Sequence, residues 1–436
     1  MTPPHPSLAR ALRWPVVVAL LLRLALLLFA LHTTGTAAIT SGDSASYLQP
    51  ASSLLHHGCF CTDGQPEVDR TPGYPAFALL LGAASGHLLP LLLAQILLST
   101  LTLVLVALLA HALTGSQRAA CASAWFFACD LLSVEHSIRV LSETLFVFLL
   151  VLLLFALVRW LARPHLLWPA LAGLLLAVMA YVRPVAYTFA IPLACALPLL
   201  VRKPESSARF TRWLHAVAFL AVFAALVLPW QLRNHRAAGS YAFSTVADKN
   251  LYFYVAGDVL ARQALLPLEQ WQQRVARDDP ARWLRLHPDQ ASYTQTERVG
   301  WLRDQALRVL AAHPWLFLES WLRGELRLLI SPGTTQLFRL IGLPARPVTL
   351  AQWPIVAACA TYLLLLYALA AVAIGKHALP TRELILLLLL AAGFFAVSGG
   401  GQAVSRLRLP VMPILCLLAG AGLAPPGADQ KRATDV

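Results

Sequence analysis

Long uninterrupted apolar runs limit this chain more than any other feature. Trp14–Leu31, Leu88–Leu113 and Glu383–Val397 reach or approach the roughly 18–20 residues a helix needs to cross a bilayer. Apolar residues make up 58% of the 436 and charged residues 13%. A water-soluble body of this size would lack the charge its surface needs. The chain therefore reads as an all-α polytopic membrane protein. Ten spans are expected, at 14–32, 88–113, 119–134, 142–160, 166–182, 184–201, 213–231, 353–375, 382–398 and 408–423.

The formal net charge is +13, and its placement is informative. Arg10 and Arg13, Arg118, Arg159 with Arg163, Arg202 with Lys203, Arg209 and Arg212, Lys376 with Arg382, and Lys431 with Arg432 fall on one side of the spans. The positive-inside rule makes that side the cytoplasm, with both termini on it. No basic stripe interleaved with aromatics is present, so nucleic acid is not an expected partner. The first apolar run is long for a signal peptide and no small-x-small cleavage site follows it, so it reads as an uncleaved span. One transmembrane unit is expected over 1–423, with outer segments 33–87 and 232–351. Residues 424–436 are expected as a short cytoplasmic tail.

Within the first outer segment, 44–57 is expected as a short helix lying on the membrane. Tyr47, Ala51, Leu54 and Leu55 would share one face, and Gly58 would end it. Arg70–Pro75, RTPGYP, reads as an extended turn, because proline disfavours helix in the residue before it. Phe77–Ala84 is too short to span. In the second outer segment, helical stretches are expected near 259–277, 291–312 and 314–330. In the last of these, Trp315, Leu318, Leu322, Leu326 and Leu329 recur at helical spacing. Cys121, Cys129, Cys195, Cys359 and Cys416 lie in or near spans and read as small core residues. Cys59 and Cys61 form either a disulfide on the outer side or half of a metal site.

Asp43, in GDSASY, follows the first span. It fits a helix N-cap ahead of Ser-Ala-Ser. It also fits a general base, or an acceptor-orienting group, at the mouth of a membrane cavity. Glu143, in RVLSETLF, heads the fourth span, near Glu135, His136 and Arg139. An acid there suits a helix N-terminus, and ionisable groups at that depth are functional candidates. Arg70, Arg183 in YVRPVAY, Arg233 in PWQLRN, and Arg406 and Arg408 in SRLRLP fall on the outer side. Each suits snorkelling to lipid headgroups. As a set they also suit a phosphate, which guanidinium holds bidentately. Tyr47 and Tyr74, from the same outer motifs, complete the candidate substrate-binding residues.

Arg23 lies inside the first span, where a central charge costs about 2.5–3.5 kcal/mol on the insertion scale, so it is expected to face the bundle interior. No motif of the GxGxxG, P-loop, HExxH or GxSxG kind occurs. No ligand set in the sequence requires a metal.

GDSASY, RTPGYPAF, RVLSETLF, VRP, PWQLRNHRAAGSYAFST and RLRLPVMP occur in this order at these places among the spans. The arrangement resembles the bacterial GT-C glycosyltransferases. These are polyprenyl-phosphate-sugar-dependent membrane enzymes related to protein O-mannosyltransferases (glycosyltransferase family 39) and to the lipid A aminoarabinose transferase. The resemblance implies a first-loop aspartate as base, here Asp43. It implies a polyprenyl-phosphate-linked sugar whose phosphate lies at the outer face. It further implies inverting transfer to a cell-envelope glycan, lipid or protein, in the bacterial inner membrane among its lipids.

Two departures accompany it. Ser44 stands where the mannosyltransferase branch has a second acid, and RTPGYP replaces the lysine-proline-proline turn of the aminoarabinose branch. Neither donor is therefore implied. A divalent cation could stand in for arginines in this scheme. The competing expectation is a transporter or lipid flippase for envelope precursors. That class favours repeats, interrupted helices and midplane charge, of which Arg23 is the main sign.

Overall fold

The computed structural model describes residues 7–201, 209–275, 295–345 and 347–425. Residues 202–203, the ends of the expected stretches at 276–277 and 291–294, and tail residues 426–436 lie outside them. The described residues are mostly helical. A two-residue hairpin, Cys61–Thr62 against Gln65–Pro66, is the one strand pair among them. Among the described residues, seven helices are long and apolar enough to cross a membrane: Leu8–Thr34, Leu88–Thr114, Glu143–Ala162, Trp213–Ala238, Leu350–Gly375, Thr381–Ser398 and Ser405–Gly422. Two shorter apolar helices, Leu167–Val182 and Pro184–Leu200, occupy two further expected spans.

The remaining expected span, 119–134, is a shorter helix, Gln117–Cys129. It stops at Asp130, whose carboxylate accepts the Ser133 N–H at 2.8 Å and the Ser133 hydroxyl at 2.5 Å. Asp130 thereby caps a new short helix, Leu131–Ser137. The break carries Glu135, His136 and Ser137 into the protein interior, where all three are fully buried, just ahead of Glu143.

The spans are inverted relative to a soluble protein. Leu21, Leu28, Leu364 and Leu389 point outward, whereas Gln95, Ser99 and Arg23 are buried, as expected where lipid is the solvent. Arg23 donates from Nε to Ser99 Oγ at 2.9 Å and from Nη1 to the Ala19 carbonyl at 3.0 Å. It faces the interior, as expected, and its hydrogen bonds go to a hydroxyl and to backbone. The cysteines depart from expectation. Of the five expected in the core, only Cys416 is buried; Cys121 and Cys359 are half-buried, and Cys129 and Cys195 face outward, because a thiol in an apolar span is tolerated by lipid as well as by core.

Three outer elements also differ from expectation, the first only in part. Helix Gly42–His57 ends at Gly58, which is left-handed at φ 66°. Tyr47, Ala51, Leu54 and Leu55 share one face of it; Tyr47 and Ala51 are buried against the protein, while Leu54 and Leu55 are left exposed. The RTPGYP run is not an extended turn: a helix starts at Gly73 and runs to Leu80. Pro75 falls in its first turn, where no backbone N–H is needed. A Cβ on Gly73 would lie 2.6 Å from the carbonyl carbon and oxygen of Tyr181. Only glycine lets this helix rest on the chain just before Arg183. Lastly, the expected 259–277 helix is interrupted after Gln263, at a segment containing Pro267. Helix Pro314–Ile330 forms as expected.

The second outer segment folds back onto the first. Thr245 N–H reaches the Val68 carbonyl at 3.1 Å, Ser244 donates to the Asp69 carbonyl at 2.5 Å, and Lys249 ion-pairs with Asp69. Arg233 donates to the carbonyls of Glu67 and Phe60 at 2.6 and 3.0 Å. Two distant stretches of sequence are thereby held beside Arg70.

Candidate active site

Asp43 lies in the first turn of Gly42–His57 but is not its cap. Ser44 Oγ accepts the Ser41 N–H at 2.9 Å, and the Ser44 N–H returns to the Ser41 carbonyl, so two serines complete the helix start. The Ser44 hydroxyl also donates to the Val140 carbonyl at 2.8 Å. That bond pins the helix start to the loop ahead of Glu143. The Asp43 carboxylate is left to the arginines.

Arg70 Nη2 lies 3.0 Å from Asp43 Oδ1, and Arg406 Nη1 lies 2.7 Å from Oδ2. Arg406 continues to a second acid, with Nε 2.5 Å from Glu143 Oε1; Arg183 Nη1 meets the same oxygen at 2.5 Å. A continuous charge array, Arg70–Asp43–Arg406–Glu143–Arg183, is thus assembled from four separate parts of the sequence. Glu143 is 2% exposed and Asp43 36% exposed, so Asp43 is the acid that solvent or substrate reaches. Burial alone would raise the Asp43 pKa, but the guanidiniums of Arg406 and Arg70 outweigh it and hold the carboxyl below its usual value.

A second layer fixes this array. The Arg70 guanidinium lies 4.6 Å from the Tyr47 ring centroid, and its Nε donates to Ser46 Oγ at 2.9 Å. The backbone N–H groups of Asp69 and Arg70 reach Glu67 Oε1 at 2.7 and 2.8 Å. Tyr47 OH meets Ser142 Oγ at 3.0 Å, and Arg183 Nη1 reaches the same hydroxyl at 3.3 Å. Tyr74 sits behind Tyr47, ring centroids 4.9 Å apart, and donates to Gln95 Oε1 at 2.8 Å. Gln95 in turn donates to the Arg139 carbonyl at 2.7 Å.

Of the expected site residues, Asp43, Arg70, Glu143, Arg183 and Arg406 come together, with Tyr47 beneath Arg70. Arg139 is buried in the adjacent layer, with Glu135, Arg406 and Glu143 as charged neighbours. Tyr74 is fully buried and supports Tyr47 rather than lining open space. Arg233 and Arg408 are not brought to the array. Arg233 is held by the loop carbonyls of Phe60 and Glu67. Arg408 donates to the Leu328 and Ser331 carbonyls, tying the last span to Pro314–Ile330.

Sequence reasoning missed Glu67, Ser142, Gln95 and the Asp69–Lys249 pair. The first two stood inside or beside quoted motifs, in EVDRTPGYP and RVLSETLF. Gln95 was legible as a lone amide in an apolar span. Nothing local marked Lys249. Cys59 and Cys61 are joined as a disulfide. Among the described residues, no three His, Cys, Asp or Glu side chains gather as a metal-ligand group, and the Arg406 guanidinium bridges Asp43 and Glu143.

Residues 69–230 match the dolichyl-phosphate-mannose-protein mannosyltransferase family. The match includes Arg70, Glu143 and Arg183 and excludes Asp43 and Arg406. No curated protein matches the chain in sequence. The fold is similar to solved structures of an oligosaccharyltransferase from Archaeoglobus fulgidus. One, the archaeal oligosaccharyltransferase AglB with an inhibitory peptide and a dolichol-phosphate, aligns at TM-score 0.53 and 15% identity, over 94% of this chain and 50% of that one. The apo form aligns at TM-score 0.52 and 14% identity, over 95% and 50%. The chain spans about half the length of these structures, and at such identities the likeness is one of fold.

Proposed function

We propose that this chain, a polytopic membrane protein of the GT-C glycosyltransferase fold, moves a sugar from a polyprenyl-phosphate carrier to an acceptor hydroxyl at the outer membrane face. The observation that carries the reading is the array joining Asp43, through Arg406, to Glu143 and Arg183. It presents one accessible carboxylate beside three guanidiniums. The whole of 1–423 acts as one transmembrane unit in a bacterial inner membrane, with both termini cytoplasmic. The acceptor is a cell-envelope glycan, lipid or protein.

The chemistry follows from charge. The donor phosphate competes with Asp43 for Arg70 and Arg406, and the outer guanidiniums grip its oxygens. Asp43, loosened from its partners, accepts the hydrogen bond of the acceptor hydroxyl and orients it. The hydroxyl oxygen attacks the anomeric carbon from the face opposite the phosphate. The C–O bond to phosphate breaks, the polyprenyl phosphate departs with the bonding pair, and the hydroxyl proton passes to Asp43. The anomeric centre inverts. Positive charge around the departing phosphate stabilises the transition state. Buried Glu143 keeps Arg406 and Arg183 pointing inward. Tyr47 supports Arg70 from below.

A transporter would use charge near the midplane and interrupted helices. Here the titratable array gathers at the outer ends of spans, which supports the enzyme reading. The test is Asp43→Asn in the purified full-length chain, with release of polyprenyl phosphate followed across a panel of polyprenyl-phosphate sugars. Losing a base or orienting contact is expected to lower turnover by about 10²–10⁴-fold with donor binding retained. Near-normal turnover in the variant would remove Asp43 from the chemistry.

A further inference from the structure

We infer that the Arg406 guanidinium takes the position a divalent cation would hold between Asp43 and Glu143, so that this site works without a metal ion. The inference deepens the proposed transfer reaction and rests on it only for its activity arm.

The geometry carries it. One planar group reaches both acids, with Nη1 2.7 Å from Asp43 Oδ2 and Nε 2.5 Å from Glu143 Oε1. A Mg²⁺-like ion needs near-octahedral oxygen ligands at about 2.0–2.1 Å. Here Asp43 Oδ1 faces Arg70 and Oδ2 faces Arg406. Glu143 Oε1 faces Arg183 and Arg406 together. An ion could enter only by expelling Arg406 from between the acids.

Charge points the same way. Two carboxylates stand against three guanidiniums, leaving one positive charge for an incoming phosphate. A dication added to that set would meet net repulsion rather than attraction. Ser44, next to Asp43, is engaged with the Ser41 N–H and the Val140 carbonyl. No His, Cys, Asp or Glu joins the two acids as a metal group among the described residues. Arg406 is also no loose surface arginine, at 25% side-chain exposure.

The experiment uses the full-length chain in lipid nanodiscs and Mn²⁺ alone, with free Mn²⁺ read by electron paramagnetic resonance. The wild-type chain is expected to leave the Mn²⁺ signal free up to about 1 mM, the weak end of protein cation sites. Arg406→Ala removes the guanidinium and opens the two acids, so it is expected to bind Mn²⁺ at least about tenfold more tightly. That gain should vanish in Arg406→Ala combined with Asp43→Asn. Wild-type transfer should be unchanged in EDTA.

Wild-type Mn²⁺ binding that Asp43→Asn abolishes would overturn the inference. So would wild-type transfer stopped by EDTA and restored by Mn²⁺. An Arg406→Ala chain that folds yet leaves Mn²⁺ free would overturn it as well. If that variant fails to fold, the wild-type Mn²⁺ arm decides alone. If no donor supports transfer, the proposed function fails while the Mn²⁺ arms still judge the inference.

Discussion

Asp43 shares its negative charge between two guanidiniums, and its titration follows from that. Its folded pKa lies below its ordinary value, and an unperturbed aspartate titrates near ~3.9. A depressed carboxylate contributes stability that is fully present above the unfolded pKa and is lost as pH falls through the folded one. We expect thermal stability to draw a constant contribution from Asp43 from pH 8 down to about 5, and to lose it below about 4. Melting curves of wild type and Asp43→Asn from pH 3 to 8 check this. A stability step centred near neutrality and removed by the Asn variant would contradict it.

Arg183 belongs to the same scale. It meets Arg406 on one Glu143 oxygen, which joins two arginines far apart in sequence. Arg183→Lys keeps the charge and loses the planar fork, so donor affinity should fall several-fold while the protein folds. Donor titration identical to wild type would instead leave Arg183 a structural partner of Glu143 with no part in donor binding.

At the scale of elements, the site depends on how closely one outer helix rests on another. Gly73 has no room for a methyl group against the Tyr181 carbonyl. We expect Gly73→Ala to destabilise the fold by about 1–3 kcal/mol, as overpacking does, and to lower transfer by shifting Arg70 relative to Arg183. A melting temperature and turnover both equal to wild type would show that the neighbouring backbone yields freely.

The spans themselves were legible, because each is an apolar run that only a helix can carry through lipid. The Gly42–His57 helix was legible from the stop at Gly58. The break at Asp130 was not, since its apolar neighbours continue the helical pattern and only the Asp130–Ser133 cap opposes them. RTPGYP misled for a related reason. Proline bars a helix interior but not a first turn, and sequence alone does not show which of the two Pro75 occupies. Asp43, Glu143 and the arginines were legible as candidate residue types near the ends of spans. Which arginines meet which acids was not, because those contacts join spans remote in sequence. The same residue type therefore served Arg406 as a bridge and Arg408 as a backbone tether two residues later.

For the whole molecule, the orientation in the bilayer sets where chemistry happens. From the distribution of Lys and Arg in the short loops, we expect 33–87 and 232–351 on the outer side. Single cysteines at Asp63 and Ser240, in a chain lacking its native cysteines, are expected to react with an impermeant maleimide in intact cells. Labelling only after the cells are opened would reverse the topology and move the array to the cytoplasmic face.

The contact between Asp43 and Arg406 also bears on biogenesis. Asp43 follows the helix Leu8–Thr34, and Arg406 lies at the start of Ser405–Gly422. A nascent chain that has delivered the helices up to Thr381–Ser398 still lacks the group that couples its two acids. Under the proposed function, a chain that stalls or misinserts before Ser405–Gly422 enters the membrane is expected to be inert.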